Sequence, residues 1–329
     1  MAAKRTSKHI IAYFDILGYK DILKRNLIPE SELIQHIDQI TNTVLNAKNP
    51  MFGGQRGKVH CFSDNFAISV KVRIDKEIIL ILEALVLIMQ KLQGKLLAEF
   101  GLFIRGSIVQ GNLYVNRNFI FGEGLIKAYE IENELAIYPR IVVVYNLVKE
   151  VVKYVESYFE YIDEQPPEII NEQNYNYLFR EFLFRNKSDN NEEENEKYNF
   201  QTIRIRKDED NEYFVDFLQE LLTLAREGDS ISRINTDSKD EMDRWSEFYL
   251  FLWAYCREIF SALIINSENK HVLIKYLWCC SYINSFCAVN GIEPPFTFHS
   301  IQDTANINLK NAKYKELSSY LRIPSIKQP

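Results

Sequence analysis

Along this chain the hydrophobic pattern changes period several times, and each change marks an element. Ile10 to Phe14 is apolar or aromatic at every position and rich in β-forming residues, so a strand is predicted over Lys8 to Phe14. Asp15 closes it, and Gly18 frees the backbone to turn into a helix. Helices are predicted at about Tyr19 to Lys24 and Glu30 to Asn46. Val59 to Phe62 and Phe66 to Val70 then flank Ser63-Asp64-Asn65, which reads as a hairpin tip. A long helix is predicted from Lys76 to Glu99, since Ile78 to Met89 is apolar except at Glu83. Leu102 to Val109, Asn112 to Val115 and Arg140 to Tyr145 read as strands, with a helix from Gly124 to Glu134 between the last two. The order β-α-α-β-β-α-β-β-α-β predicts an α+β fold, a mixed sheet related to the ferredoxin-like arrangement with helices on one face.

The second half is patterned differently. Asn186 to Asn199 contains no aliphatic residue, and a mobile loop is expected there. Phe200 to Arg206 and Tyr213 to Phe217 flank the charged run Lys207 to Glu212 and predict a second hairpin. Trp245, Phe248, Leu252, Cys256, Ile259 and Leu263 then recur at helical spacing, as do Leu273, Leu277, Cys280 and Asn284, so two helices with packed faces are expected. The predicted division is a sheet domain over residues 1–160, ending before Pro166-Pro167, and a C-terminal part over 161–329 made of the second hairpin and helices.

Composition narrows the partners. A chain of 329 residues with 47% hydrophobic content can bury a full core. Its net charge of −6 argues against a nucleic-acid scaffold, which needs a clustered positive field. The run Ile78 to Met89 is shorter than the roughly 20 residues that span a bilayer, and Met1 to Arg5 lacks the apolar core of a secretory signal. The expectation is therefore a cytoplasmic protein with no membrane partner. The five cysteines, Cys61, Cys256, Cys279, Cys280 and Cys287, form no Cys-x-x-Cys pair and read as reduced core thiols.

Chemistry concentrates in two acidic patches, Tyr13-Phe-Asp-Ile-Leu-Gly-Tyr19 and Phe62-Ser-Asp-Asn65, each where an apolar strand meets a turn. Asp64 on the hairpin tip can project beside Asp15, and two carboxylates with the Ile16 carbonyl suit a pair of Mg²⁺ or Mn²⁺ ions, which favour oxygen. An isolated aspartate at a turn reads as a turn or capping residue, and the pairing of the two favours the metal role. The backbone amides of Leu17, Gly18 and Tyr19, at a helix start, would face phosphate oxygens.

Together with Leu102-Phe-Ile-Arg-Gly-Ser-Ile-Val-Gln-Gly111 and Phe121-Gly-Glu-Gly-Leu-Ile-Lys-Ala-Tyr-Glu-Ile-Glu132, these patches resemble the class III nucleotidyl cyclase domain in order and spacing, over roughly the first half of the chain. The resemblance implies a class III cyclase-like mixed sheet. It also implies that Asp15 and Asp64 supply the metal carboxylates, with the phosphate-facing turn after Asp15. It departs where purine cyclases carry an Asn and an Arg in the later helix; here Ile126 and Glu130 stand at those positions. Gly122 to Glu132, Tyr138-Pro-Arg-Ile-Val-Val143 and Phe62-Ser-Asp-Asn65 look like the pyrimidine cyclases of bacterial Pycsar anti-phage defence. That resemblance implies conversion of UTP or CTP to cyclic UMP or cyclic CMP, with uridylate favoured. It further implies a homodimer with sites at the interface and a separate effector that answers to the product. The C-terminal helices would then serve dimerisation or sensing. A purine cyclase and a cyclase-like domain that only binds nucleotide are the alternatives.

Further candidates follow from the chemistry. Tyr13 could offer its hydroxyl to a pyrimidine edge or bond within the core. Arg105 could clamp phosphate or form a structural ion pair. Lys127 and Arg140 are candidates for the missing transition-state cation, with Lys20 and Lys58 behind them. His60 alternates onto the Asp64 face of the hairpin and could touch the base or sit as a core imidazole.

Overall fold

The structure, a computed structural model, describes residues 5–19, 57–75, 77–116, 119–150, 205–208, 210–218, 241–266 and 268–296, with single positions 29, 31, 34, 35, 38, 153 and 222. Two compact units emerge: Met1–Gln93, Ile104–Ala136 and Arg140–Glu220 form the first, and Gly94–Phe103, Ile137–Pro139 and Leu221–Pro329 the second. The helix expected over Glu30 to Asn46 is helical at Ser31, Ile34, Gln35 and Asp38, and its other positions lie outside the described residues. The helix expected over Tyr19 to Lys24 is described only at Tyr19. The loop expected at 186–199 and the boundary near Glu160 also lie outside them.

The first unit is built on a sheet with strands β1 (Ser7–Ile16), β2 (Lys58–Phe62), β3 (Asn65–Lys71), β4 (Ile104–Val115), β5 (Ile120–Phe121), β6 (Ile141–Val143), β7 (Ile205–Lys207) and β8 (Tyr213–Val215). Their order is β2-β3-β1-β4-β6-β8-β7, with β5 paired to β4 alone. All pairs are antiparallel except β4 and β6, which are parallel because a helix returns the chain between them. This is the α+β class with a mixed sheet that the pattern predicts. β1 lies between β3 and β4, and Ile10 to Phe14 is buried along its whole length. The unbroken apolar run is explained by that central position.

Two expectations change. The strands expected at Leu102 to Val109 and Asn112 to Val115 are one strand, β4, which starts at Ile104 and runs unbroken to Val115. Gly111 does not break it: an added Cβ there would meet the Cα of Gly124 at 2.4 Å, so the glycine serves close helix approach. The second hairpin, assigned from sequence to the C-terminal part, is β7–β8 and pairs with β6, where Val142 faces Phe214 and Val143 faces Tyr213. A strand edge with unmet amides and carbonyls recruits a distant partner, which local pattern cannot reveal.

Helix α1 (Glu77–Phe100) is buried on most sides through Leu92, and Gln90 Nε2 donates to the Asp216 carbonyl at 2.7 Å. Helix α2 (Glu123–Glu134) packs across β4 and β1 with Gly124, Ala128 and Glu132 buried, a stripe at intervals of four. Ser107 Oγ donates to the Ala128 carbonyl at 2.7 Å, tying the middle of the helix to the strand beneath.

The second unit contains α3 (Glu241–Ile265) and α4 (Lys270–Val289). Phe248, Leu252, Cys256, Ile259 and Leu263 line the buried face of α3, as the spacing predicts; the Trp245 side chain is outside the described residues. Asn284, read as one of a packed stripe, is buried and bonded twice to Phe296: Nδ2 donates to its carbonyl, and Oδ1 accepts its N–H at 3.1 Å. By length and apolarity alone Phe248–Ile265 and Lys270–Val289 are sufficient to cross a membrane, a test that buried core helices also pass. All five cysteines are free thiols, four buried and Cys61 exposed on the edge strand.

Candidate active site

Register brings the first acidic patch and the hairpin together. Asp15 lies opposite Asn65 on β3 and opposite Arg105 on β4. Residues opposite one another in neighbouring strands share a face, so Asn65, Asp15 and Arg105 form one row. The next row, two residues up β1, is His60, Ala67, Tyr13 and Ser107. The hairpin turn has only two residues, Ser63 and Asp64, because Asn65 is already in β3. Ser63 takes a left-handed φ of 63°, which sharpens the corner. The Ile16 N–H donates to the Asp64 carbonyl at 3.2 Å, fastening the hairpin tip to the end of β1. Asp15 and Asp64 are thereby held at one corner of the sheet.

Leu17 and Gly18 turn away from that corner, and Tyr19 is helical. Gly18 has φ 77°, and an added Cβ would meet nothing within 4 Å, so the turn is open on that side. Another residue would fit in space but would strain the backbone.

The carboxylates are not bare. Arg105 Nε donates to both oxygens of Asp15 at 3.0 and 3.2 Å, and its terminal nitrogen lies 2.7 Å from Glu132 Oε1 on α2. Burial alone would lower the guanidinium, but its bond to Asp15 and the charge of Glu132 outweigh this and raise it above its ordinary value. Tyr13 hydroxyl donates to Asn65 Oδ1 at 2.7 Å, and Asn65 Nδ2 donates to Asp64 Oδ1 at 3.2 Å. Burial first, then the charges of Glu132 and Asp15, push the Tyr13 hydroxyl up to about 12, so it stays a donor. Tyr13 also meets the exposed Tyr129 edge-on, ring centroids 6.2 Å apart.

Other candidates lie elsewhere or are engaged. Arg140 is fully buried and held by Asp208, Asp210 and the Leu135 carbonyl; a guanidinium enclosed that way is structural, because it cannot reach a substrate. His60 shares the Tyr13 row, but its Nε2 pairs with the Asn116 carbonyl at 3.3 Å, and burial lowers its pKa. Lys58 donates to the Val115 carbonyl at 3.0 Å. Lys127 is half-buried on α2 and forms no ion pair among the described residues. Lys20 is outside them.

Among the described residues no group of three or more His, Cys, Asp and Glu side chains is gathered for a metal ion. The donor set does fit hard cations: two carboxylates and the Ile16 carbonyl, all oxygen, at a corner open beside Gly18. Nucleotide phosphates complete such coordination shells.

No family model matches the chain, and no curated protein does. Solved structures do. One is a dimeric guanylyl cyclase domain of the RhoGC fusion protein from the aquatic fungus Blastocladiella emersonii, 13% identical over 46% of this chain and 86% of that one, TM-score 0.35. A rhodopsin-guanylyl cyclase catalytic core with converted specificity, in complex with ATPαS, is 14% identical over 45% and 83%, TM-score 0.34. A class III adenylyl cyclase-like ATP-binding protein from Pseudomonas aeruginosa is 15% identical over 44% and 35%, TM-score 0.33. Likeness this distant settles neither family nor activity.

Three residues at this corner, Asn65, Tyr129 and Glu132, lie inside the motifs read from sequence but were given no role of their own. Glu132 carried a signal, since it continues the Gly124, Ala128 spacing onto a buried face. A carboxylate on the sheet side of a helix needs a cation beneath it.

Proposed function

We propose that this chain is a nucleotide cyclase that converts UTP, or alternatively CTP, to the 3′,5′-cyclic monophosphate and pyrophosphate. The observation that carries the reading is the corner itself: the Ile16–Asp64 backbone bond and the Asp15–Asn65 register support two carboxylates beside a turn that is open at Gly18. In this reaction the ribose 3′-oxygen loses its proton and bonds to the α-phosphorus, while the bond to the β-phosphate oxygen breaks and pyrophosphate leaves. Asp15, Asp64 and the Ile16 carbonyl would hold two divalent ions, Mg²⁺ or Mn²⁺, which when bound supply acidity for the hydroxyl and charge for the phosphorus. The amides of Leu17, Gly18 and Tyr19 receive the triphosphate at a helix start. Tyr13 and Asn65 orient Asp64 through their two hydrogen bonds. Positioning of this kind supplies much of the rate in phosphoryl transfer.

The choice of a pyrimidine rests on the motif resemblance of Phe62 to Asn65 and Gly122 to Glu132. Tyr13 hydroxyl, a candidate base contact, is directed instead at Asn65. Phe62, Ile126 and Tyr129 are exposed around the corner, and we assign this surface to a second copy of the chain. Lys127, half-buried on the same helix, is the cation we assign across that interface. The remaining assignments are a cytoplasmic site of action, a sheet domain that takes in β7–β8 ahead of a helical C-terminal part, and a separate effector that reads the cyclic product in anti-phage defence.

Incubation of the full chain with Mn²⁺ and each of ATP, GTP, CTP and UTP, with products read by mass spectrometry, tests this. Cyclic UMP or cyclic CMP is expected. A cyclic purine product would retain the site and overturn the base, and no cyclic product from any nucleotide would overturn the activity.

A further inference from the structure

Arg105 holds the place where a cation is expected. Its three hydrogen bonds engage both oxygens of Asp15, the carboxylate assigned to the metal. The same guanidinium reaches Glu132, so one cation is shared by two carboxylates of unequal access: the Asp15 side chain is 15% exposed and that of Glu132 only 3%. A hydrated ion can approach the first and not the second. A divalent ion and a guanidinium on one carboxylate repel each other, so they compete for Asp15.

We propose that Arg105 is the resident counter-cation of Asp15 in the metal-free protein, and that Glu132 is the anchor to which it withdraws when a divalent ion takes Asp15. This rests on the assignment of Asp15 to the metal. Glu132 then touches neither ion nor nucleotide and is a positioning residue. It sets how readily the ion enters, because a partly buried guanidinium released without another anion would be disfavoured. The small residues Gly124 and Ala128 let α2 lie close enough to the sheet for the Glu132 carboxylate to reach Arg105.

Mn²⁺ binding, followed by the electron paramagnetic resonance signal of the free ion, tests the proposal on the full chain as wild type, Asp15→Asn, Arg105→Met, Glu132→Gln and the Arg105→Met/Glu132→Gln double variant. Arg105→Met is expected to bind Mn²⁺ about tenfold more tightly, since a charge-assisted bond no longer competes. Glu132→Gln should weaken binding about fivefold when Arg105 is present and change it less than about twofold when Arg105 is absent. The double variant leaves no buried carboxylate unpaired and should exceed wild type in affinity even where Arg105→Met alone fails to fold. Equal weakening by Glu132→Gln in both backgrounds would show simple charge attraction and overturn the proposal. So would a double variant that binds no better than wild type. Loss of the whole effect at its root, wild-type Mn²⁺ binding that is absent or insensitive to Asp15→Asn, overturns the metal assignment and the proposal with it.

Discussion

Two arginines in the first unit are each shared between two carboxylates, and they differ in exposure. Arg140 is wholly buried, clamped by Asp208 and Asp210 from the turn between β7 and β8 and by the Leu135 carbonyl. Arg105 lies between Asp15 and Glu132 with 19% of its side chain exposed, beside an open turn. The same ion-pair chemistry holds a hairpin to a strand in one place and leaves a carboxylate within reach of solvent in the other. Access, not charge pattern, separates the structural cluster from the candidate active one.

The largest expected effect falls on the open cluster. Asp15→Asn keeps an oxygen for Arg105 but removes the charge, and product assays should show cyclisation reduced at least about a thousandfold, with the unfolding midpoint little changed. Activity near wild type in folded protein would put the two clusters in one class. Arg140→Met should do the converse. Urea unfolding is expected to show a loss of about 3 kcal/mol, somewhat softened because Asp210 is 40% exposed, while turnover per folded molecule stays near wild type. A collapse of turnover in well-folded protein would make Arg140 part of the chemistry.

Gly124→Ala sharpens the comparison on the helix side. The new Cβ would meet Ile11 Cδ1 at 2.6 Å and the Gly111 carbonyl carbon at 3.0 Å, so α2 must lift from the sheet at a cost of about 2 kcal/mol. Turnover should fall with it, because Glu132 rides on the same helix, whereas Gly124→Ala with unchanged stability and turnover would show that close approach is not needed.

The mildest handle is pH, acting through an imidazole outside both clusters. His9 is buried beside the Ser7 carbonyl, 2.7 Å from Nδ1, and burial lowers its pKa. The folded state therefore favours the neutral ring. Its contribution to stability is complete above the unfolded value of about 6.5 and declines as pH falls through that value toward the lower folded one. Nuclear magnetic resonance titration should place the His9 midpoint below 6.5; a midpoint above it would reverse the sign.

Much of this was legible in the linear pattern because the responsible forces are local. The run Ile10 to Phe14 specified a strand, the Phe62 to Asn65 turn a hairpin, and Gly124 to Glu134 a helix, each through backbone preference and periodicity acting within a few residues. That is why Asp15 and Asp64 could be named as a pair from their positions at strand ends. Pairings between distant segments were not legible. The union of Ile104 to Val115 into one strand came with its unbroken pairing to β1, past a Gly111 that serves the approach of Gly124, and the β7–β8 hairpin found its place on the edge of β6. Which partner each charged or polar side chain takes was likewise decided in three dimensions. Arg140 went to Asp208 and Asp210, Tyr13 to Asn65, and Arg105 to both Asp15 and Glu132. A charge in a buried setting must be met by whichever opposite charge the fold brings within a few ångströms, and spacing along the chain carries no record of that encounter.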